Sequence, residues 1–344
     1  VLSLFRDFSA PVKWTYDYSD LEQMHLMSHD ADPVARWDMA QRVILDLLLQ
    51  LISEHDAGKG LRVPDSFMQG MKVLLDDQAV DPALLALMLQ LPDDITLANA
   101  QKTVSIEGML AARRCLQDAI AHEFKNRLLT LYRANHEAGA YHFTTQACGK
   151  RALKNVCLAY LVKTDDEAMI TLCYHQYEHA TNMTDRLAAL SILVSVGGKE
   201  EAAALKDFEK RFSNNALVMD KWFSVQACAN RGDVFEVIKA LQAHSAFDIK
   251  NPNKVRSLVS MFIRLNYSHF HAAHIESYPW LSELILQIDA INPMVAARLA
   301  DSFSHWRQFD ELRAKSMKSQ LEKLSKSTNL SKDTDEIVMK SLAV

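Results

Sequence analysis

Four times along the chain an Asp or Asn stands directly before a proline, and each time a helical pattern follows. Asp32-Pro33 opens a stretch whose apolar residues fall at Val34, Trp37, Ala40, Ile44, Leu47, Leu48, Leu51 and Ile52 before Gly58 ends it. Asp81-Pro82 precedes Ala83 to Leu91, Asn251-Pro252 precedes Val255 to Leu265, and Asn292-Pro293 precedes Val295 to Phe303. The pair has a chemical reason to recur. The Asx side chain accepts from the free N–H groups of the first turn, while proline has no N–H to lose and fixes φ for the first helical residue. A chain punctuated this way is committed to helices with defined starts.

Further helical patterns cover about 66–75, 105–135, 145–162, 166–177, 184–196, 200–212, 216–229 and 234–243, joined by short polar connections. Only 9 of 344 residues are Gly, which disfavours turn-rich β architectures. Helices joined by short links pack as antiparallel neighbours. Asn251 and Asn292 are 41 residues apart, close to the ~40-residue period of two-helix repeats, although no internal self-similarity accompanies the spacing. The fold class is therefore expected to be all-α, an irregular α-solenoid of stacked antiparallel helix pairs. Residues 1–12, ending Ser9-Ala10-Pro11-Val12, alternate loosely and read as an extended strand or linker, with a helical domain over 13–344. The opening on Val1 reads as a piece cut from a longer protein.

Charge and cysteine usage exclude several function classes. Thirty-eight Lys and Arg against 43 acidic residues give a net charge of −5, which argues against nucleic acid as a partner. The five cysteines (Cys115, Cys148, Cys157, Cys173, Cys228) form no CxxC pair and read as reduced residues of a cytoplasmic protein. The longest apolar stretch, Val43 to Ile52, is broken by Asp46 and Gln50 and is too short for a membrane span of about 20 residues. No membrane partner and no secretory signal are expected.

Candidate chemistry is sparse. His175-Gln176-Tyr177-Glu178-His179 fits H-x-x-E-H, an inverted zinc-protease pattern with two imidazoles one turn apart, but it lacks an identifiable third ligand. It reads as a polar helix end, and no metal site is expected. His122-Glu123 and His136-Glu137 begin like HExxH, yet Asn126 and Ala140 occupy the positions of the second histidine. His269, His271 and His274 cluster in what reads as a connection, as surface histidines. Gly197-Gly198-Lys199 lacks the remaining P-loop residues. Arg313, Lys315, Lys318, Lys323 and Lys326 read as the solvated basic face of a long helix. No catalytic residue is found.

Several stretches taken together are similar to one family. They are Leu4-Phe5-Arg6-Asp7-Phe8-Ser9-Ala10-Pro11-Val12, Asp81-Pro82-Ala83-Leu84, Asn182-Met183-Thr184-Asp185 with Leu187-Ala188-Ala189-Leu190, Leu217-Val218-Met219-Asp220-Lys221-Trp222-Phe223, Asn251-Pro252-Asn253-Lys254-Val255-Arg256-Ser257-Leu258, and Asn292-Pro293-Met294-Val295-Ala296-Ala297-Arg298. Ordered along nearly the whole chain, they resemble the C-terminal part of bacterial aminopeptidase N, the alanyl aminopeptidase of the zinc gluzincin class.

The resemblance implies that residues 1–12 are the tail of a preceding β-sandwich and 13–344 the helical domain that closes over the catalytic domain. It also implies a chamber that admits peptides, and a zinc site with its HExxH and GxMEN motifs upstream of Val1. The chain alone is then inactive and carries no cofactor. Its partners are the catalytic domain of the same polypeptide and peptide substrates, and the protein is monomeric. Met294 matches the residue reaching the pocket for the substrate's first side chain, and Arg256 and Arg298 match basic residues facing the chamber. Both arginines are expected in early turns of Asn-Pro helices, where the dipole is positive. A structural ion pair for each arginine and core packing for Met294 are the competing readings. After Phe270-His271-Ala272 the family carries a glycine-containing acidic turn, where this chain has Ala273-His274-Ile275-Glu276-Ser277-Tyr278-Pro279. A helical-repeat scaffold for a protein partner fits composition and periodicity equally well; the family stretches favour the aminopeptidase domain.

Overall fold

The computed structural model describes residues 1–4, 6, 15–137, 139 and 141–343. The expected N-terminal strand falls largely on residues outside that set. Among the described residues the chain is all-α, and the only strand-like pairing is a single bridge between Val104 and Phe309. The expected solenoid class holds. The chain divides into two compact units, one formed by Val1–Pro92 with Leu110–Ile192 and the other by Asp93–Met109 with Leu193–Val344.

All four Asx-Pro pairs open helices as the sequence requires. Asp32 Oδ1 accepts from the Val34 and Ala35 amides at 3.0 and 2.7 Å, starting Pro33–Asp56. Asp81 does the same for Ala83 and Leu84 at 2.8 and 3.2 Å, starting Pro82–Met88. Asn251 accepts from Asn253 at 2.9 Å and Asn292 from Val295 at 3.2 Å. Each cap satisfies amides that have no partner within the helix.

In the first unit, Pro33–Asp56 buries Leu47, Leu48 and Leu51 and packs against Asp20–His29 and Pro82–Met88. Buried Arg36 donates to the Met27 and Ser28 carbonyls at 2.9 and 2.5 Å, satisfying the end of the preceding helix, and pairs with Asp77 at 3.0 Å. Pro82–Met88 also packs against Thr145–Leu161. A Cβ added at Gly149 would lie 3.0 Å from the Ala83 amide nitrogen, so the close approach there favours glycine. The helical stretch expected over 105–135 is instead two helices, Ile106–Glu123 and Lys125–Ala134. The break is at Phe124 (φ −105°, ψ 16°), whose ring is buried. No Gly or Pro marks it, which is why periodicity ran straight through.

In the second unit the core is aromatic. Phe262 and Phe270 meet at 5.7 Å between ring centroids, Phe270 and Tyr278 at 5.4 Å, and Tyr278 and Phe303 at 5.7 Å. The histidines expected in a surface connection lie instead on Tyr267–Ala272 and His274–Asp289. His271 is fully buried, with Nδ1 2.5 Å from the Tyr278 hydroxyl, and burial with Arg313 nearby drives its pKa well below the usual histidine value. The segment that departs from the family pattern is the start of a helix, anchored by Ser277 Oγ donating to the Phe270 carbonyl at 2.7 Å. Arg313 also departs from expectation. It is buried, not part of a solvated face, and its guanidinium is held by Glu107, by Asp310 at 2.8 Å and by the His271 carbonyl at 2.9 Å.

Candidate functional site

The helix Pro293–Ala300 carries Met294 and Arg298 one turn apart. Ala296, Leu299 and Ala300 on its other side are buried. Its start is capped by Asn292, and four residues before Pro293 the carboxylate of Asp289, 5% exposed, accepts from the Ser331 amide at 2.7 Å and from the Ser331 and Thr334 hydroxyls at 2.5 Å each. The Thr334 hydroxyl also lies 3.4 Å from the Pro293 carbonyl. A buried carboxylate met by three donors is a satisfied anchor, and it joins the end of His274–Asp289 to the start of Lys332–Ala343 beside the turn that presents Met294.

Met294 is 60% exposed, which excludes the core-packing alternative. The exposed Arg298 guanidinium contacts its Sδ at 3.9 Å and has no carboxylate partner among the described residues. The dipole expectation fails for Arg298. The helix is eight residues long and the arginine lies in its last turn, because the chain tightens to a 3₁₀ turn at Asp301–Phe303.

Arg256 sits differently. The helix expected over 255–265 begins as Pro252–Val255, widens into a π turn at Arg256–Ser260 and resumes at Met261–Leu265. Side chains on either side of Arg256 are pinned. Lys254 pairs with Asp220 at 2.7 Å and donates to the Ala216 carbonyl at 3.2 Å. Ser257 Oγ donates to the Lys254 carbonyl at 3.0 Å, and its own carbonyl accepts from Ser224 Oγ at 3.1 Å. With Val255, Leu258 and Val259 buried as well, Arg256 is the exposed residue of a fixed turn, and it has no hydrogen-bond or ion-pair partner among the described residues. Single-turn π segments recur at functional sites. Among the described residues neither arginine forms an ion pair of the kind the competing reading requires. Lys254–Asp220 and the Asp289 anchor were not found from the sequence, since their partners lie 34 and 42 residues away and no local pattern signals them.

The H-x-x-E-H stretch is a helix end on Glu167–His179. His175 and His179 are exposed and stack at 4.0 Å, with the His179 Nδ1 3.0 Å from the His175 carbonyl. The inward residues are Gln176 and Tyr177, and Gln176 Nε2 donates to Asn155 at 2.8 Å. Among the described residues no three His, Cys, Asp or Glu side chains converge on a point that could hold a metal ion. No helix is long and apolar enough to cross a membrane among those residues.

An all-α repeat fold with an anchored, exposed Met and Arg pair defines a helical-repeat domain. Residues 20–343 match the family described as "Domain of unknown function (DUF3458_C) ARM repeats", and the chain belongs to that family. It is similar to aminopeptidase N of Escherichia coli, 33% identical over 343 residues, covering all of this chain and 39% of that protein. It is likewise similar to aminopeptidase N of Haemophilus influenzae, 35% identical over 340 residues, with 99% and 39% covered. The crystal structure of Legionella pneumophila aminopeptidase A in complex with aspartic acid superposes with a TM-score of 0.87 at 33% identity, covering 99% of this chain and 40% of that one. The chain thus spans about two fifths of these relatives and corresponds to their C-terminal part.

Proposed function

We propose that this chain is the chamber-closing helical domain of a zinc-dependent aminopeptidase that removes N-terminal residues from peptides. It contributes access control and substrate contacts, and the catalytic groups reside in the preceding domain of the same polypeptide. Among the described residues the two stacked histidines of Glu167–His179 have no third ligand converging with them, so no chemical step is assigned to them.

The observation that carries the reading is the state of Met294, Arg256 and Arg298. All three are exposed on turns whose neighbouring side chains are pinned, and neither arginine is neutralised by a carboxylate among the described residues. In this role the thioether of Met294 borders the pocket for the first side chain and repacks around different occupants. Arg256 and Arg298 hold carbonyl oxygens or the terminal carboxylate of the peptide beyond the cleaved bond. The five cysteines are free thiols, as a cytoplasmic location requires, and the parent is read as a monomer.

The test is N-terminal hydrolysis by the intact polypeptide that carries this chain. Release of single residues from peptide N-termini, with a ranking of first residues that changes in Met294→Ala, supports the reading. An intact polypeptide without such activity, or an unchanged ranking, rejects the role given to this domain.

A further inference from the structure

Of the 14 methionines two are exposed, Met294 at 60% and Met339 at 52%. A thioether in water is open to two-electron oxidants, which turn a flexible apolar side chain into a polar sulfoxide. The two sites differ in what stands one helical turn away. Met339 follows Asp335 and Glu336, both acidic. Met294 precedes Arg298, whose Nη2 lies 3.9 Å from the sulfur. The guanidinium is exposed and meets no carboxylate among the described residues. Both side chains stand on a helix capped by Asn292 and seated through buried Ala296, Leu299 and Ala300, which keeps them together. A thioether sulfur is a weak acceptor, so the donors of Arg298 are poorly used in the reduced pair. An oxygen on that sulfur is a strong acceptor within reach of a charge-assisted hydrogen bond. The guanidinium is therefore better matched to the oxidised methionine than to the reduced one.

We infer that Met294 is a reversible oxidation site for hydrogen peroxide, with Arg298 as the group that favours and holds the sulfoxide. A lone pair of the Met294 sulfur attacks one peroxide oxygen, the S–O bond forms as the O–O bond breaks, and hydroxide departs. The proton left on the new oxygen passes to that hydroxide, so thioether and peroxide become sulfoxide and water. Sulfur gives up two electrons and the peroxide takes them. Arg298 donates to the departing oxygen, where negative charge gathers, and afterwards to the sulfoxide oxygen. Two thiols of a methionine sulfoxide reductase reverse the change, giving thioether, disulfide and water. The site itself stands on the geometry of the pair; its consequence for selectivity rests on the proposed function. There, one oxygen atom alters two of the three candidate contacts. The apolar border at Met294 becomes dipolar, and Arg298, bonded to the sulfoxide, is withdrawn from the peptide.

The experiment treats the intact polypeptide with hydrogen peroxide and follows the gain of one oxygen at Met294 and at Met339 by peptide mass spectrometry. Met294 is expected to react about tenfold faster than Met339, the factor for one hydrogen bond of ordinary strength. The lead should vanish in Arg298→Ala, although that variant uncovers the sulfur further, and persist in part in Arg298→Lys, which keeps a cation. Equal rates at the two methionines of the parent would overturn the proposal, as would a lead that survives Arg298→Ala. So would a Met294 that stays reduced because another part of the polypeptide covers it. A second arm reads hydrolysis. The oxidised parent should show a changed ranking of first residues and a loss on tripeptides relative to anilides, both restored by methionine sulfoxide reductases A and B with dithiothreitol. Met294→Leu, which cannot be oxidised in this way, should show the same ranking before and after peroxide. If Met294→Ala alters the ranking and oxidation does not, the selectivity consequence is rejected while the aminopeptidase reading stands. If the untreated polypeptide hydrolyses no peptide, that reading is rejected with the consequence drawn from it, and the oxidation rates still decide the site.

Discussion

Arg298 follows Met294 by one helical turn, its Nη2 3.9 Å from the Met294 sulfur, and both side chains are exposed on a helix whose start is capped by Asn292. The pair is held by a capped helix without being part of its packed face, and the consequence is a separation between stability and selectivity. Met294→Ala should leave the unfolding free energy within about 0.5 kcal/mol of the parent, as for an exposed side chain. On the proposed function, the intact polypeptide carrying this change should show relative kcat/KM among Ala, Leu, Met and Arg first residues shifted by about 1–3 kcal/mol, the range for a changed hydrophobic contact. Parallel substrate ranking and urea unfolding on the same variant check both halves.

Arg256 and Arg298 should matter in proportion to the length of the substrate. An aminoacyl anilide has no residues beyond the cleaved bond, whereas tri- and tetrapeptides do. Replacing either arginine by Ala should lower kcat/KM for the peptides by about 1.5–3 kcal/mol, the value of a hydrogen bond to a charged group, and leave anilides nearly unaffected. Because neither arginine has an ion-pair partner among the described residues, melting temperatures should not move. Equal losses on both substrate types with a lowered melting temperature would mean a structural role.

Asp289→Ala should be strongly destabilising. It strands the Ser331 amide and the Ser331 and Thr334 hydroxyls, which now converge on one buried carboxylate. At roughly 1–3 kcal/mol for a polar group left unsatisfied, a loss of about 3 kcal/mol is expected, read as a lower urea midpoint at unchanged slope. Asp289→Asn keeps part of the acceptor set and should fall between.

His271 should give stability a pH dependence below neutrality. Unfolded, it binds a proton near its ordinary value of 6.5; folded, it does so only well below that, because it is buried and faces Arg313 and His274, with Asp310 the one opposing charge. Between the two values the unfolded chain holds more protons, so stability is present above about pH 6.5 and declines as pH falls, by at most about 1.4 kcal/mol per pH unit from this group. His269, also depressed by burial, adds in the same direction. Urea unfolding between pH 7 and pH 5 should show a shallower decline in His271→Gln than in the parent.

The paired histidines give the last expectation. The chain should retain no stoichiometric zinc after dialysis, and His175→Ala should alter neither metal content nor folding, since both rings are exposed and no third ligand converges with them among the described residues. Zinc held at one equivalent and lost in that variant would contradict the structure.

Part of this protein was legible in residue order alone. The helix starts at Asp32, Asp81, Asn251 and Asn292 were, because a cap and its amides lie within three residues of one another and need nothing from elsewhere in the chain. The all-α class followed from the same local rules, and the candidate residues Met294, Arg256 and Arg298 came from family resemblance. Burial was not legible. Arg313 and His271 carry surface-type side chains, and only packing showed that one closes an ion pair with Glu107 across 206 residues of sequence and the other bonds to Tyr278 within an aromatic core. The break at Phe124 and the π turn at Arg256 likewise have no Gly or Pro to announce them; buried neighbours and hydroxyl-to-carbonyl bonds accompany them in the folded chain. Hydrogen bonds within a turn are written in the order of residues, whereas desolvation is a property of everything that comes to surround a side chain, and that is fixed only when the helices pack.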